Sequence, residues 1–352
     1  MEAEVSTTAK TLYRVRPRGF CAGVVRAVEI VELALEAYGA PIYVLHEIVH
    51  NRTVVEELRA KGAIFVNTLE GVPAGARLIF SAHGISPAVR HLATARRLRV
   101  IDATCPLVTK VHLEAVKFAR AGYSILLIGD REHDEVEGTS GEAPEVTQVV
   151  SSVAEADSVE VPNANRVVYL TQTTLSQYDT AQIITRLRQR FPSIQGPPAD
   201  DICYATQNRQ EAVEQVAKRA ELVLVVGSKN SANSNRLVEV AERAGARAFL
   251  TEDESGIEPR WLEGVTRIAL TAGASAPEVL VDGVSERLRA LGFTHIEEVE
   301  VIHEDVRFTL PAELVPFAAA RTAPPADATQ GTDGDPGTSG RSSSLHETAN
   351  TK

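Results

Sequence analysis

An α/β fold made of three related lobes follows from three observations on the 352-residue sequence. Apolar strand-like runs alternate with amphipathic helical stretches along most of the chain, the pattern of βαβ units with mainly parallel sheets. Three cysteines, Cys21, Cys105 and Cys203, stand 84 and 98 residues apart. Each is followed at nearly matching distances by two polar loops, so the chain reads as three pseudo-symmetric copies of one unit. A hydrophobic content of 44% over this length suffices for domain-sized cores.

Residues 1–11 read as an N-terminal extension, and "MEAEVSTTAK" has no apolar core of the signal-peptide kind. In the first lobe, 12–104, Val24, Val28, Val31 and Leu35 form one helical stripe after Cys21, and Gly39 is placed to end that helix before the strand "PIYVL". A polar loop brings His50 at 29 residues past its cysteine, and "LIFSAHGIS" brings His83 at 62. The second lobe, 105–202, repeats this with His133 at 28 in "GDREHDEVEGT" and Thr173 at 68 in "VVYLTQTTLS". The third, 203–292, does so with Ser231 at 28 in "GSKNSANSN" and Ser275 at 72 in "IALTAGASAP".

Residues 293–320, with "VEVIHEDVRFTLP", are expected to close the structure as an extra pair of strands. Residues 321–352 are rich in Pro, Gly, Ser, Thr and Asp and read as a disordered tail, too poor in apolar matter to offset the entropy of ordering. Ligands of open α/β sheets bind beyond the carboxyl ends of the strands. Three units facing one another therefore predict one central site.

The net charge of −11 argues against a broad basic surface for nucleic acid or anionic lipid. No apolar run approaches the roughly 20 residues of a membrane span, so a cytoplasmic protein is expected. Three widely spaced cysteines without a CxxC pair argue for free thiols or ligands instead of a disulfide framework. A lone cysteine is more often a small buried hydrophobe. Here each stands at a helix start, where backbone N–H groups and the helix dipole favour the thiolate. Three thiolates suit zinc or an iron–sulfur cluster, and their spread over three units favours the bulkier object. One 4Fe-4S cluster held by three cysteines would leave one iron without a protein ligand.

His50, His83 and His133 admit readings as cluster ligands, as ligand-binding donors and as solvated loop residues. With the Ser and Asn groups of "SANSN" and "GASAP" they form a neutral or weakly cationic donor set suited to a small phosphate-bearing molecule. In "HDEVEGT", Asp134 and Glu137 read as a solvated face. Glu135 is the candidate for an inward carboxyl group, whose pKa desolvation would raise toward neutrality and fit for proton delivery. The chain has neither GxGxxG after a strand nor GxxxxGK[ST]. A reductase of this sequence would take its electrons from a separate redox protein.

The blocks "PRGFCAGV", "VHNR", "SAHGIS", "DATCPLVTKVH", "HDEVEGT", "TQTTLS", "DICYATQNRQEAV", "GSKNSANSNRL" and "TAGASAPE" together resemble the 4-hydroxy-3-methylbut-2-enyl diphosphate reductase family, over residues 12 to 315. The resemblance implies a three-lobed α/β protein around a central 4Fe-4S cluster. It also implies the last step of the non-mevalonate isoprenoid pathway, a two-electron reductive dehydration giving isopentenyl and dimethylallyl diphosphate, with ferredoxin or flavodoxin as electron donor. Carried over motif by motif, Cys21, Cys105 and Cys203 would ligate three irons, and the fourth would meet the substrate hydroxyl. His50, His83, His133, Ser231, Asn233 and Ser275 would hold the diphosphate, Thr173 would contact the hydroxyl, and Glu135 would deliver protons. Ala232 replaces a serine and Asp134 a proline that the family often carries. The rival readings are a redox-neutral 4Fe-4S hydro-lyase, a non-catalytic iron–sulfur sensor, and an α/β protein with merely buried thiols.

Overall fold

A computed structural model of the chain describes residues 10–322, so nearly all of the expected extension and tail lies outside the described residues. The chain opens with β1 (Thr11–Arg16), α1 (Ala22–Tyr38), β2 (Ile42–Leu45), α2 (Arg52–Ala60), β3 (Ala63–Val66), β4 (Arg77–Phe80), α3 (Pro87–Ala95) and β5 (Arg99–Asp102). It continues with α4 (Pro106–Arg120), β6 (Ser124–Ile128), α5 (Asp134–Ser140), β7 (Thr147–Val150), α6 (Val153–Ser158), β8 (Val167–Thr171) and α7 (Gln177–Arg190). Then follow α8 (Tyr204–Ala217), β9 (Leu222–Val226), α9 (Ala232–Arg243), β10 (Arg247–Thr251), β11 (Arg267–Ala272), α10 (Glu278–Ala290), β12 (His295–Glu300) and α11 (Val315–Thr322).

Three parallel sheets result, ordered β3-β2-β4-β5, β7-β6-β8 and β10-β9-β11-β1-β12. Their shared part is the repeat itself. β3-β2-β4, β7-β6-β8 and β10-β9-β11 have one topology, each with a helix (α2, α5, α9) joining the central strand to one flank. The central strands are apolar because helices cover both faces, and every residue of β9 is buried. Each sheet has two apolar layers, for example Leu222, Leu224 and Val226 on one face of β9 and Val223 and Val225 on the other. At about 1.5–3 kcal/mol for each fully buried Val, Leu or Ile, these six layers dominate the stability.

The cysteine helices start alike. Cys21, Cys105 and Cys203 are the residues immediately before α1, α4 and α8, and none uses its side chain to cap the helix. Pro106 opens α4, where its fixed φ fits and its missing N–H costs nothing. α1 ends as expected at Gly39, whose φ of 73° favours glycine and whose N–H bonds Leu35 O.

Two expectations are corrected. β1 does not join the first lobe's sheet. It lies between β11 and β12 in the third, in parallel register from Thr11 opposite His295 to Arg16 opposite Glu300. Nothing local in "TLYRVR" encodes a partner almost 300 residues away. The anticipated closing strand pair is a single strand, β12, followed by an irregular strap over 301–314 and then α11.

The strap is fixed by side chains and not by a ladder. Arg209, 1% exposed, bonds Glu304 (3.1 Å), Gly19 O (2.8 Å) and Ala205 O (2.9 Å), and Arg26 Nε donates to Thr309 O (2.7 Å). Leu314 is fully buried against the α1 layer, where Phe317 meets Tyr38 edge to face at 5.8 Å. Arg209→Met would leave Glu304 without its cation at a mostly buried site. It is expected to cost about 3 kcal/mol, read as a fall in unfolding temperature.

Candidate functional site

The loops at the carboxyl ends of paired central strands converge, as the topology requires. Those after β2, β6 and β9 carry His50, His133 and Ser231, and those after β4, β8 and β11 carry His83, Thr173 and Ser275. The three cysteines and Glu135 meet them. One cavity is lined by all eleven candidate residues: Cys21, Cys105, Cys203, His50, His83, His133, Glu135, Thr173, Ser231, Asn233 and Ser275. Val24, Val49, Ala82, Leu107 and Val108 supply an apolar wall.

The thiols fit an iron–sulfur group. All three are free cysteines. A Cβ placed on Gly23 would stand 2.8 Å from Cys105 Sγ and 3.8 Å from Cys21 Sγ, so two sulfurs share the space that this glycine leaves open. Among the described residues, the trio with ligand atoms all within 4.8 Å is His50, His83 and Asp134, not the three cysteines. Soft donors too widely spaced for one ion suit a polynuclear cluster better than zinc.

The expected thiolate stabilisation at helix starts is overridden by burial. Desolvation pushes the Cys105 thiol up to about 12, against the N–H groups of Leu107 and Val108, and the Cys203 thiol up to about 11. Metal must displace protons here. Gly23→Ala would press a methyl group onto Cys105. We expect metal affinity to fall about 10- to 100-fold with the fold intact, read as iron per chain beside an unchanged far-UV spectrum.

At the other end the imidazoles pack as a group. The rings of His50 and His83 stack at 4.1 Å, and His133 stands edge-on to both at 5.1 and 5.6 Å. Burial, with neighbouring imidazoles adding to it, holds His83 well below the ordinary histidine range and lowers His133 to about 4. His133 Nδ1 accepts the N–H of Glu135 at 3.1 Å as the cap of α5, which leaves its proton on Nε2 as a donor. Ser231 caps α9, Ser275 Oγ donates to His50 O at 2.9 Å, and Asn233 Oδ1 accepts from Ala274 N at 2.8 Å. The bond of Ser275 crosses from the third unit to the first, while His133, Ser231 and Asn233 are fixed within their own units, which leaves His133 Nε2 and an Asn233 amide proton as preorganised donors for an oxyanion.

Glu135 faces inward, 2% exposed, whereas Glu137 of the same run is exposed. Its Oε1 accepts the N–H of Thr173 at 2.6 Å, and its Oε2 the Thr173 hydroxyl at 3.0 Å. Desolvation raises its pKa to about 7, the Thr173 bonds pull it down, and the charge of Asp201 adds to the rise.

Asp134 is not the solvated residue expected from the sequence. Its carboxylate lies 3.4 Å from His46 Nδ1 and 3.7 Å from His83 Nδ1, bridging the second unit to the first. Sequence reading also passed over Glu47, whose Oε2 takes Asn230 Nδ2 at 2.9 Å and faces His50 Nδ1 at 3.4 Å. Thr206, on α8 one turn past Cys203, was likewise missed. The signal for these was slight: Asp134 and Thr206 lie inside quoted blocks, and Glu47 stands just before "VHNR".

The LytB protein family matches residues 12–289. The 4-hydroxy-3-methylbut-2-enyl diphosphate reductase of Nocardia farcinica (strain IFM 10152) is 57% identical over 308 residues, 87% of this chain and 92% of its own. That of Aromatoleum aromaticum (strain DSM 19018 / LMG 30748 / EbN1) is 56% identical over 305 residues, 87% and 98% of the two chains. Among solved structures, the E-1-hydroxy-2-methyl-but-2-enyl-4-diphosphate reductase from Plasmodium falciparum superposes with a TM-score of 0.86 at 41% identity, covering 89% of this chain and 99% of that one.

Proposed function

The chain belongs to the LytB protein family, and from that membership together with the site's geometry we infer that it is a 4-hydroxy-3-methylbut-2-enyl diphosphate reductase. It is an iron–sulfur oxidoreductase of the terminal step of the non-mevalonate isoprenoid pathway. Two electrons and two protons enter, the allylic C–O bond breaks and one water leaves. The allylic fragment takes its proton at either end, giving isopentenyl or dimethylallyl diphosphate. One observation carries this reading: a thiol from each repeated unit, a neutral oxyanion donor set and a single buried carboxyl group share one cavity.

In this reading Cys21, Cys105 and Cys203 hold one 4Fe-4S cluster, which when bound supplies electrons and a Lewis-acidic iron. The soft donors, their wide spacing and the clearance at Gly23 support it. His50, His83, His133, Ser231, Asn233 and Ser275 bind the diphosphate, and the apolar wall packs the hydrocarbon. When Glu135 carries its proton, the 3.0 Å contact runs from the acid to the Thr173 oxygen, and the Thr173 hydroxyl is free to donate to the substrate hydroxyl and relay the proton. Glu135, protonated near neutrality, delivers a proton as water leaves.

The absence of a dinucleotide fingerprint from the sequence supports a separate redox protein, ferredoxin or flavodoxin, as donor, and a cytoplasmic setting is proposed from the family membership. Among the described residues no helix is long and apolar enough to cross a membrane. The three shared sheet cores support three lobes at 12–104, 105–202 and 203–292, with β1 lent to the third.

The test is turnover by anaerobically reconstituted protein. Conversion of the hydroxymethylbutenyl diphosphate to both products is expected only with a reductant present. Loss of water without a reductant, giving a dehydrated diene diphosphate in place of these two products, would identify a redox-neutral hydro-lyase instead.

A further inference from the structure

Thr206 is fully buried, lines the cavity and belongs to the block "CYATQN", of which the proposed chemistry uses only the cysteine. Its Oγ1 stands 3.2 Å from Cys203 Sγ and 3.4 Å from Asn233 Nδ2. The direction of both bonds can be assigned. Asn233 Oδ1 already accepts from Ala274 N at 2.8 Å, so the amide presents Nδ2 to Thr206 as a donor. A sulfur that binds iron is a thiolate and only accepts. The single Thr206 proton then has one destination, and the chain runs Asn233 N–H to Thr206 oxygen, Thr206 O–H to Cys203 sulfur. Among the described residues no side-chain hydroxyl bonds Cys21 or Cys105 sulfur, so this support is particular to the third unit.

We propose that Thr206 is a redox-positioning residue: through its hydroxyl it orients Cys203 and sets the reduction potential of the iron–sulfur cluster, under polarisation by Asn233. A hydrogen bond to a ligand sulfur withdraws charge from it and stabilises the reduced, more negative state. Asn233 makes Thr206 a stronger donor by cooperative polarisation, which ties a proposed diphosphate contact to electron uptake through two bonds.

This inference rests on Cys203 holding the cluster as proposed above. The full chain is reconstituted anaerobically as wild type, Thr206→Val, Thr206→Ser and Asn233→Ala. Each is assayed for iron and sulfide, then titrated potentiometrically with the reduced state followed by EPR. The valine variant should keep its cluster at a more negative midpoint, serine should return it to the wild-type value, and Asn233→Ala should shift it the same way by less. Thr206→Ala serves the same comparison if valine costs the fold at this buried position. A wild type that binds no iron or sulfide overturns the functional reading and this inference with it. Intact clusters at unchanged potentials in the hydroxyl-free variants overturn this inference alone.

Discussion

Replacing Glu135 by glutamine is expected to lower turnover about 10²–10⁴-fold, the usual worth of a positioned proton donor, with the cluster retained. Glutamine keeps the shape and can still accept from Thr173, whose N–H and hydroxyl grip both carboxyl oxygens of Glu135. What it lacks is the transferable proton. The pH profile separates this from a folding effect. Burial raises the Glu135 pKa to about 7, so wild-type turnover should fall as pH rises through 7 while the acid deprotonates, and the residual activity of the variant should lack that limb. The stability effect has a definite sign. The folded-state pKa lies above the ordinary 4.5, so the protonated group's contribution is fully present below 4.5 and is lost as pH rises through about 7. Above pH 7 the glutamine variant should therefore melt no lower than wild type. A variant that melts lower there would mark Glu135 as structural.

Removing any one cysteine should be as damaging as removing all three. Cys21, Cys105 and Cys203 come from different units, yet Gly23 shows two of the sulfurs sharing one space, and like charge from Cys21 and Cys203 adds to the rise at Cys105. Cys105→Ala is expected to abolish iron retention and to bring reductase activity to background, and the double variants should add nothing, because the residues act as a unit. Since burial holds the free thiols of Cys105 and Cys203 protonated, cluster assembly releases protons, and reconstitution should weaken as pH falls. Iron and sulfide per chain, measured across pH, check both statements.

Much of this site was legible in the sequence because the repeat carries its own register. Helix starts, strand ends and polar loops recur at matched distances from each cysteine, and ligand loops must lie at strand carboxyl ends. That logic reached nine of the eleven candidate residues that line the cavity, while Glu135 was singled out from its acidic run and Asn233 came with the family blocks. What it missed depends on long-range partners. β1 pairs with β12 across nearly the whole chain, and Arg209 finds Glu304 in a strap that local alternation presents as a strand. Asp134 looked like one member of a solvated charge run, and only the packing of α5 against the first unit turns it toward His46 and His83. The helix-start argument for thiolates failed because no sequence pattern shows that desolvation outweighs the helix N–H groups.

The central claim is that three units each give one thiolate to a single cluster and leave one iron for substrate. Mössbauer spectroscopy of the ⁵⁷Fe-reconstituted chain tests it most directly. The account predicts four irons per chain, one spectroscopically distinct from the other three, and a change confined to that iron when the hydroxymethylbutenyl diphosphate is added. Protein without iron, or four irons equally indifferent to substrate, would contradict it.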